Sequence, residues 1–330
     1  MASPRPATSK LSLTAPLTRS SLNVIHDALQ EHYEAQAEAF DLSEKHAAVL
    51  APFCNVNGKP GILLEVRGKL RMHSGEVSFP GGRVDETDAS TLAAALRETE
   101  EEVGIRPEQV EVLGRFGPPQ LSLGGLRVWP YVGFIHPSAH CRSEAADATN
   151  GMDTPLPNLN MADLRLSQRE VAHAFHLPLS DLVSAPRLHQ YLFRGLTPYY
   201  AIDVSDIIST HDSEQVVSSD GQVPWASDPA GRDEIGGGRE GRLEVWGLTG
   251  WYLNVLMRIL GVVRYRTKEQ ASADPDKISA IRAERDSIKN STAAERTRKA
   301  AGVRAEILAR DALGAGVYGF RSQHKPGGTG

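Results

Sequence analysis

The sequence predicts an α/β or α+β sandwich, and three observations support this prediction. Short runs rich in Val, Ile, Leu and aromatic residues, which are typical of strands, lie on both sides of one long segment with helical spacing. That segment, from about Ala89 to Val103, is the strongest helix pattern in the chain. The length of 330 residues and the apolar fraction of 40% allow a sizeable core. Strands around one strong helix favour a layered fold.

The predicted elements follow one another along the chain. A helix is expected from about Leu22 to Glu38, and the run GILLEV, Gly61–Val66, predicts a short buried strand. Four further strand-like runs come after the strong helix: VEVLGRF, LRVWPYVGFI, YYAIDV and RLEVWGLT. The apolar run Trp251–Val263 predicts a buried helix, because it is shorter than a membrane span and contains Arg258.

Composition divides the chain into three parts. A flexible N-terminal tail is predicted over residues 1–21, a main domain over 22–265, and a charged helical tail over 266–330 that ends in a Gly-rich segment. Two polar stretches, near 136–164 and 205–241, are predicted to be surface insertions. The sequence leaves open whether the C-terminal helices form a solvated tail or contact a second copy or another partner.

Charge and cysteine content exclude several classes of function. A net charge of −5 and a pI near 6.1 give no basic surface for nucleic acid, and no apolar run is long enough to span a membrane. The two cysteines lack the spacing of a disulfide framework or a zinc site, which favours an intracellular protein. The N-terminal composition suits a mitochondrial transit segment or a plain tail, and the chain ends in Gly-Gly-Thr-Gly rather than a peroxisomal Ser-Lys-Leu. Cytosol, mitochondrion and peroxisome all stay open.

The helix over residues 89–103 concentrates negative charge at its C-terminal end. Glu98, Glu101 and Glu102 are spaced i, i+3 and i+4, so their carboxylates are neighbours on one face, whereas Glu100 points away. Like charges at this spacing, facing the negative end of the helix dipole, are unfavourable, and only Arg97 can offset them on the helix. A bound divalent cation such as Mg²⁺ would supply the missing positive charge.

The residues before this helix support a ligand site. Gly81 and Gly82 allow a tight turn and a close approach of the backbone to a ligand, so that a carbonyl oxygen can join the carboxylates. Asp88 is expected to cap the start of the helix and Gly104 to end it. Metal-assisted chemistry on a phosphorylated small molecule is the leading interpretation.

The same residues resemble the Nudix box, G-x5-E-x7-R-E-U-x-E-E-x-G-U, in which U is aliphatic. Three departures occur: Asp88 stands where the family has Glu, one extra residue separates it from Arg97, and Thr99 fills an aliphatic position. The resemblance implies an α/β/α sandwich with a mixed sheet, and Mg²⁺ or Mn²⁺ as the cofactor. The positions that match are Gly82, Arg97, Glu98, Glu101, Glu102, Gly104 and Ile105.

The stretch Leu63–Gly82, LLEVRGKLRMHSGEVSFPGG, is similar to the signature of the coenzyme A diphosphatase branch, LLTxR(S/A)x3Rx3Gx3FPGG. The fit requires one residue fewer between Arg67 and Arg71, and Glu65 replaces the usual Thr. Similarity to this branch covers roughly residues 48–263, apart from the two insertions.

The resemblance implies a role for each matched residue. Glu98 and Glu102 are expected to be the principal metal ligands, with Glu101 a third ligand or the group that orients the attacking water; Glu98 could instead be the general base. Arg97 is expected to hold the carboxylates in place. Glu170 is a further candidate acid near the site. The residues expected to bind substrate phosphates or approach the substrate are Arg67, Arg71, His73, Gly81 and Gly82.

The reaction implied is metal-dependent hydrolysis of the diphosphate of coenzyme A or acyl-CoA to 3′,5′-ADP and (acyl-)4′-phosphopantetheine. Two alternatives stay open: a Nudix hydrolase acting on NADH, ADP-ribose or an oxidised nucleotide, and a Nudix-fold binding or scaffold protein. The upstream signature disfavours the first alternative, and the intact glutamates disfavour the second. A P-loop nucleotide binder is excluded, because no Gly-rich loop ends in Gly-Lys-Ser/Thr.

Overall fold

The computed structural model describes residues 11–32, 44–68, 75–147, 152–194, 197–209, 214–218 and 242–262. The predicted C-terminal tail, the N-terminal residues 1–10 and most of the stretch 205–241 lie outside this description. The helices are α1 Arg19–His32, α2 Thr91–Val103, α3 Ala139–Asp147, α4 Ser205–Ser209 and α5 Gly247–Ile259. The strands are β1 Lys45–Val56, β2 Lys59–Arg67, β3 Val77–Ser78, β4 Gly81–Arg83, β5 Val110–Arg115, β6 Gln120–Leu121, β7 Leu126–Ile135, β8 Val171–Pro178, β9 Leu188–Phe193, β10 Thr197–Asp203, β11 Val216–Ser218 and β12 Glu244–Val245.

Two sheets form from these strands, and the larger one is mixed. Its main path runs β11-β8-β2-β1-β7-β5. Three short strands pair beside this path: β3 with β2, β4 with β1 and β6 with β7. The pair β1–β7 is parallel and the other pairs are antiparallel. A parallel pair needs a long crossover connection, and here that crossover contains β2, β3, β4, α2, β5 and β6. The predicted α+β class with a mixed sheet is confirmed.

The central strands are buried on both faces, because helices cover each side of the sheet. Residues of β1 alternate, as a strand requires: Leu50 and Cys54 pack with Val103 of α2, whereas Ala51 and Phe53 belong to the opposite core. That opposite core also receives apolar residues of α1 and α5, among them Leu22, Ile25, Leu29, Leu253 and Leu256. No described helix is long and apolar enough to cross a membrane.

Local sequence explains the turn that joins β1 to β2. Val56 pairs with Lys59, so Asn57 and Gly58 alone form the connection. Both residues have positive φ values, 51° and 70°, and Asn-Gly is the pair that tolerates this two-residue hairpin turn. The turn sets the register of β2 against β1, and the two-residue alternation of the strand places Glu65 and Arg67 on one face.

Helix α2 begins later than predicted, and a different residue caps it. The Ser90 side chain accepts a hydrogen bond from Ala93 N at 3.1 Å, whereas the predicted cap Asp88 contacts Arg97 instead. Ser90 is the cap because it directly precedes Thr91, the first helical residue, which is the position of an N-cap. The C-terminus is as predicted: Gly104 adopts the left-handed conformation, and its N–H donates to Glu100 O.

Three other predictions require correction. Helix α1 starts at Arg19, and Leu11 and Leu17 are buried, so the predicted flexible tail over 1–21 is wrong for the described residues 11–21. The run RLEVWGLT contains only a two-residue strand, since α5 begins at Gly247. The stretch 136–164 is not wholly a surface insertion, because its residues Leu156, Leu159, Met161 and Leu164 are buried.

The buried side chain of Asn55 explains why the segments around Leu17 and Leu156 pack together. Asn55 Nδ2 donates to Leu17 O and to Leu156 O, both at 3.0 Å, and its Oδ1 accepts from Leu17 N at 2.7 Å. Leu156 N also donates to Leu17 O at 2.8 Å. Asn55 therefore supplies the backbone partners that two irregular segments need when they are buried together.

Replacing Asn55 by Ala should strongly destabilise the protein. Two buried backbone groups, Leu17 N and Leu156 O, would lose their partner, whereas Leu17 O would keep the bond from Leu156 N; at about 1–3 kcal/mol each, the free energy of unfolding should fall by about 2 kcal/mol or more. Urea unfolding measures this change. The matched control, Asn23→Ala on the exposed face of α1, should change stability by less than about 0.5 kcal/mol. Equal effects of the two changes would contradict the anchoring role.

Candidate active site

Helix α2 places two carboxylates against the sheet at the turn before β4. The Glu102 side chain is 3% exposed and that of Glu98 is 16% exposed, whereas the Glu101 side chain is 54% exposed. Glu100 is exposed, as expected. The structure therefore separates the three neighbouring glutamates of the sequence into two inward residues and one outward residue.

Gly81 holds the deeper carboxylate. Its backbone N–H donates to Glu102 Oε2 at 2.7 Å, so the helix is tied to the first residue of β4. Burial raises the pKa of Glu102 to about 8; the charges of Glu98 and Glu170 add to this effect, and the Gly81 hydrogen bond and the Arg67 charge oppose it. Burial is thus the dominant influence on this carboxyl group.

Gly82 makes room for the second carboxylate. A Cβ atom at this position would lie 2.4 Å from Glu98 Cδ and 2.5 Å from Glu98 Oε2, so the side chain occupies the space that any larger residue would need. Burial raises the pKa of Glu98 as well, against the opposing charge and hydrogen bond of Arg97. Gly81 differs from Gly82, since its φ is +147° and its Cβ would meet the backbone O of Ala48 at 2.3 Å.

Arg97 joins the helix to the segment before it. Its guanidinium donates to both carboxylate oxygens of Asp88 at 3.0 Å, to Arg83 O at 3.0 Å, to Glu98 at 3.1 Å and to Glu101 at 3.1 Å. These hydrogen bonds lower the pKa of Asp88 and raise that of Arg97. The geometry agrees with the expectation that Arg97 holds carboxylates in place. It also gives Asp88 a role, although that residue is a departure from the family motif.

The end of β2 brings two further charged residues to the same place. Arg67 Nη1 lies 3.7 Å from Glu102 Oε1, and the sheet register shifts between Val66 and Arg67 where β2 meets β8. Gly68 N donates to Glu170 O at 2.7 Å, which fixes the loop before β8 beside this bulge. The charge of Glu170 contributes to the raised pKa values of Glu98 and Glu102, so it belongs to the same electrostatic cluster.

The structure brings several of the predicted site residues together and leaves two of them outside its description. The predicted residues Arg67, Gly81, Gly82, Glu98 and Glu102 come together, and Glu101 turns toward Arg97; its role as a metal ligand stays a prediction. Arg71 and His73 lie outside the described residues, so their predicted contact with substrate has no structural account.

Sequence reasoning assigned no function to Glu65, which is fully buried in the middle of β2. Its signal was visible as a charged residue within an apolar strand. The position of Glu65 is also the one where the signature of the coenzyme A diphosphatase branch has Thr.

Residues 44–139 match the NUDIX domain family. A curated protein of Citrobacter koseri, "Uncharacterized Nudix hydrolase NudL", is 41% identical over 155 residues, which cover 47% of this chain and 68% of that protein. This chain belongs to the Nudix hydrolase family. The NudL protein of Escherichia coli O9:H4 is 42% identical over 149 residues, but these cover 65% of it, slightly less than two thirds.

The chain is similar to the C. elegans Ap4A hydrolase in a binary complex, with 22% identity and a TM-score of 0.30 over 42% of this chain and 83% of that one. It is also similar to the NUDIX domain of Shewanella oneidensis NrtR complexed with ADP ribose, with 18% identity and a TM-score of 0.30 over 45% of this chain and 86% of that one.

The donor atoms at the site suit a hard divalent cation. Within the described ranges, no three His, Cys, Asp or Glu side chains are placed to hold an ion as they stand. Nevertheless, Glu98 and Glu102 are inward carboxylates beside the glycine pair, and one oxygen of Glu65, Oε2, is buried without a hydrogen-bond partner among the described residues. Carboxylate oxygens with a nearby backbone carbonyl are the ligands that Mg²⁺ and Mn²⁺ accept. Glu98 and Glu102 are the residues that would hold the ion.

Gly82→Ala should weaken the binding of a divalent cation with little loss of stability. The added methyl would displace the flexible end of Glu98 rather than backbone, so the fold can adjust while the carboxylate leaves its position. We expect the affinity for Mn²⁺, measured by electron paramagnetic resonance, to fall about 10–100-fold. The control Gly124→Ala, whose Cβ has 3.8 Å to its nearest neighbour, should leave the affinity unchanged. A Gly82→Ala protein with normal Mn²⁺ affinity would argue against the role of Glu98.

The raised pKa of Glu102 predicts how stability depends on pH when divalent cations are removed. The pKa rises from an ordinary value of 4.5 to about 8, so between these values the folded protein keeps a proton that the unfolded chain releases. The contribution of Glu102 to the free energy of unfolding should therefore be greatest below pH 4.5 and should decrease as the pH rises through 8. Glu98 shifts in the same direction, so Glu102→Gln should reduce this slope without abolishing it.

Urea unfolding in EDTA across this pH range measures the slope for the native protein and for Glu102→Gln. Glu100→Gln is the matched control, because Glu100 is an exposed glutamate of the same helix. An unchanged slope in Glu102→Gln would show that Glu102 does not bind the proton.

Proposed function

We propose that this Nudix hydrolase cleaves the diphosphate of coenzyme A or an acyl-CoA, giving 3′,5′-ADP and 4′-phosphopantetheine or its acyl derivative. The observation that carries the substrate assignment is the run Leu63–Gly82, which is similar to the signature of the coenzyme A diphosphatase branch. In the structure the described parts of this run form β2, β3 and the start of β4, and they contribute Arg67, Gly81 and Gly82 to the site. The segment that resembles the substrate signature thus adjoins the carboxylates that resemble the catalytic motif.

The charge of the site explains why such a substrate needs a cation. A diphosphate approaching Glu98, Glu102 and Glu170 meets like charge, and the neighbouring arginines Arg67 and Arg97 already lie beside these carboxylates. A bound Mg²⁺ or Mn²⁺ supplies Lewis-acid polarisation of the phosphoryl oxygens and favours deprotonation of an attacking water. Both effects suit hydrolysis by in-line attack on phosphorus.

The protein's own residues divide the remaining tasks. Glu102, held by Gly81 N–H, is a fixed oxygen donor deep in the site, and Glu98 is a donor nearer to solvent. Arg97 keeps Glu98 and Glu101 in place without reaching the substrate. Glu98 or Glu170 accepts the proton of the attacking water as the new P–O bond forms and the bond to the leaving phosphate breaks.

A panel of substrates tests the proposal. The full chain with Mg²⁺ is incubated with coenzyme A, acetyl-CoA, NADH, ADP-ribose and 8-oxo-dGTP, and the products are identified by mass spectrometry. We expect 3′,5′-ADP from coenzyme A or acetyl-CoA, at a higher rate than the products of the other three compounds. Turnover of another compound without 3′,5′-ADP from either CoA substrate would move the assignment to the other nucleoside diphosphate derivatives. No turnover of any compound would favour a binding or scaffold role.

Two variants make the panel specific. Glu102→Gln should reduce turnover by more than about 100-fold, since it removes a proposed cation ligand and not merely a supporting residue. Glu100→Gln removes an exposed glutamate of the same helix and should leave turnover within about twofold of the native rate. Near-normal turnover by Glu102→Gln would refute its role as a ligand.

A further inference from the structure

Glu65 is a buried carboxylate near the end of β2, where the neighbouring residues Leu63, Leu64 and Val66 are buried and apolar. Its side chain has no exposed area, and Oε2 has no hydrogen-bond partner among the residues that the structure describes. Burial raises its pKa well above the ordinary value, with the Glu102 charge as the next cause. A buried acid of this kind is costly unless a neighbour compensates it, so the groups around Glu65 indicate what it does.

Two neighbours hold the other oxygen of Glu65. Ser78 lies directly across the β2–β3 pair, and its hydroxyl donates to Glu65 Oε1 at 3.1 Å. Arg67 Nη1 lies 3.7 Å from the same Oε1. Glu65 and Arg67 are two residues apart on β2, so they project to the same face of the sheet.

The same nitrogen of Arg67 lies 3.7 Å from Glu102 Oε1. One guanidinium nitrogen is therefore equidistant from two buried carboxylates, one on β2 and one on α2. The distances exceed those of a direct hydrogen bond, so the arrangement is an electrostatic bridge that both carboxyl groups share. If Arg67 moved out toward a substrate, it would leave Glu65 and Glu102 without this counter-charge.

We propose that Glu65 is a positioning residue. It holds the Arg67 guanidinium between the carboxyl groups of Glu65 and Glu102, so that the guanidinium neither pairs directly with Glu102 nor moves out to bind the substrate diphosphate. Arg67 then acts on Glu102 and not on the substrate, which replaces the role that the sequence signature implies for it. This inference rests on one part of the proposed function, that Glu102 is a cation ligand. It does not depend on which diphosphate is cleaved.

Loss of Glu65 should weaken cation binding through Arg67. In Glu65→Gln, Glu102 is the one remaining carboxyl group of the bridge, so the guanidinium moves closer to it and competes with the cation. We expect the dissociation constant of Mn²⁺ to rise about tenfold, within the range of coupling between neighbouring charged groups. Electron paramagnetic resonance of Mn²⁺ with the full chain, in the absence of substrate, measures it.

A double-mutant cycle separates this action from a direct effect of the Glu65 charge on the ion. In an Arg67→Gln background, Glu65→Gln should change the Mn²⁺ dissociation constant by less than about threefold, because the competing guanidinium is absent. A tenfold loss that persists in this background would overturn the proposal and show that Glu65 acts without Arg67. Unchanged affinity in Glu65→Gln alone would overturn it as well.

Two further variants complete the test. Glu65→Thr, which introduces the residue of the family signature, replaces Glu65→Gln in the cycle if the latter fails to fold by circular dichroism. Glu100→Gln is the matched control and should leave Mn²⁺ affinity unchanged. Because Mn²⁺ binding is measured without substrate, failure of this inference is distinct from failure of the coenzyme A assignment, which the product panel decides.

Discussion

The hydrogen bond from Gly81 N–H to Glu102 ties helix α2 to strand β4, and the arrangement of the site depends on this contact. It fixes the depth at which the C-terminal half of the helix meets the sheet. Glu98, one turn earlier, then falls beside Gly82, and the outward side of the same helix carries Glu101 to Arg97. A helix that shifted or rotated here would lose the hydrogen bond and the separation of inward from outward carboxylates together.

The site balances several carboxylates with two arginines that have different tasks. Arg97 is partly exposed and makes direct hydrogen bonds to Asp88, Glu98 and Glu101, so it organises the outer side of the helix. Arg67 stands farther from its two partners and serves the buried side. The cluster therefore keeps raised pKa values at Glu98 and Glu102 despite nearby positive charge, because burial outweighs the attraction. A divalent cation would reverse this preference for the protonated form.

The sequence predicted those features that depend on local periodicity. The spacing of Glu98 and Glu102 and the stop at Gly104 follow from helix geometry, and the chain adopts them. The sequence does not decide between Asp88 and Ser90 as the cap, because an acid and a serine two residues apart are both good caps and only the contact of Asp88 with Arg97 separates them. The burial of Leu156 and the bridge at Glu65 could not be foreseen, since each depends on a partner from a distant part of the chain: Asn55 for the first and Glu102 for the second.

The parallel pairing of β1 with β7 has a consequence for where the site residues lie in the sequence. Because that pairing demands a crossover, Glu65, Arg67, Gly81, Glu98 and Glu102 all lie within one uninterrupted segment of the sequence between the two strands. Glu170 alone among the candidate acids enters from beyond it, on the loop before β8. A single crossover can thus carry most of the candidate site, and the region after β7 adds the charge of Glu170 to it.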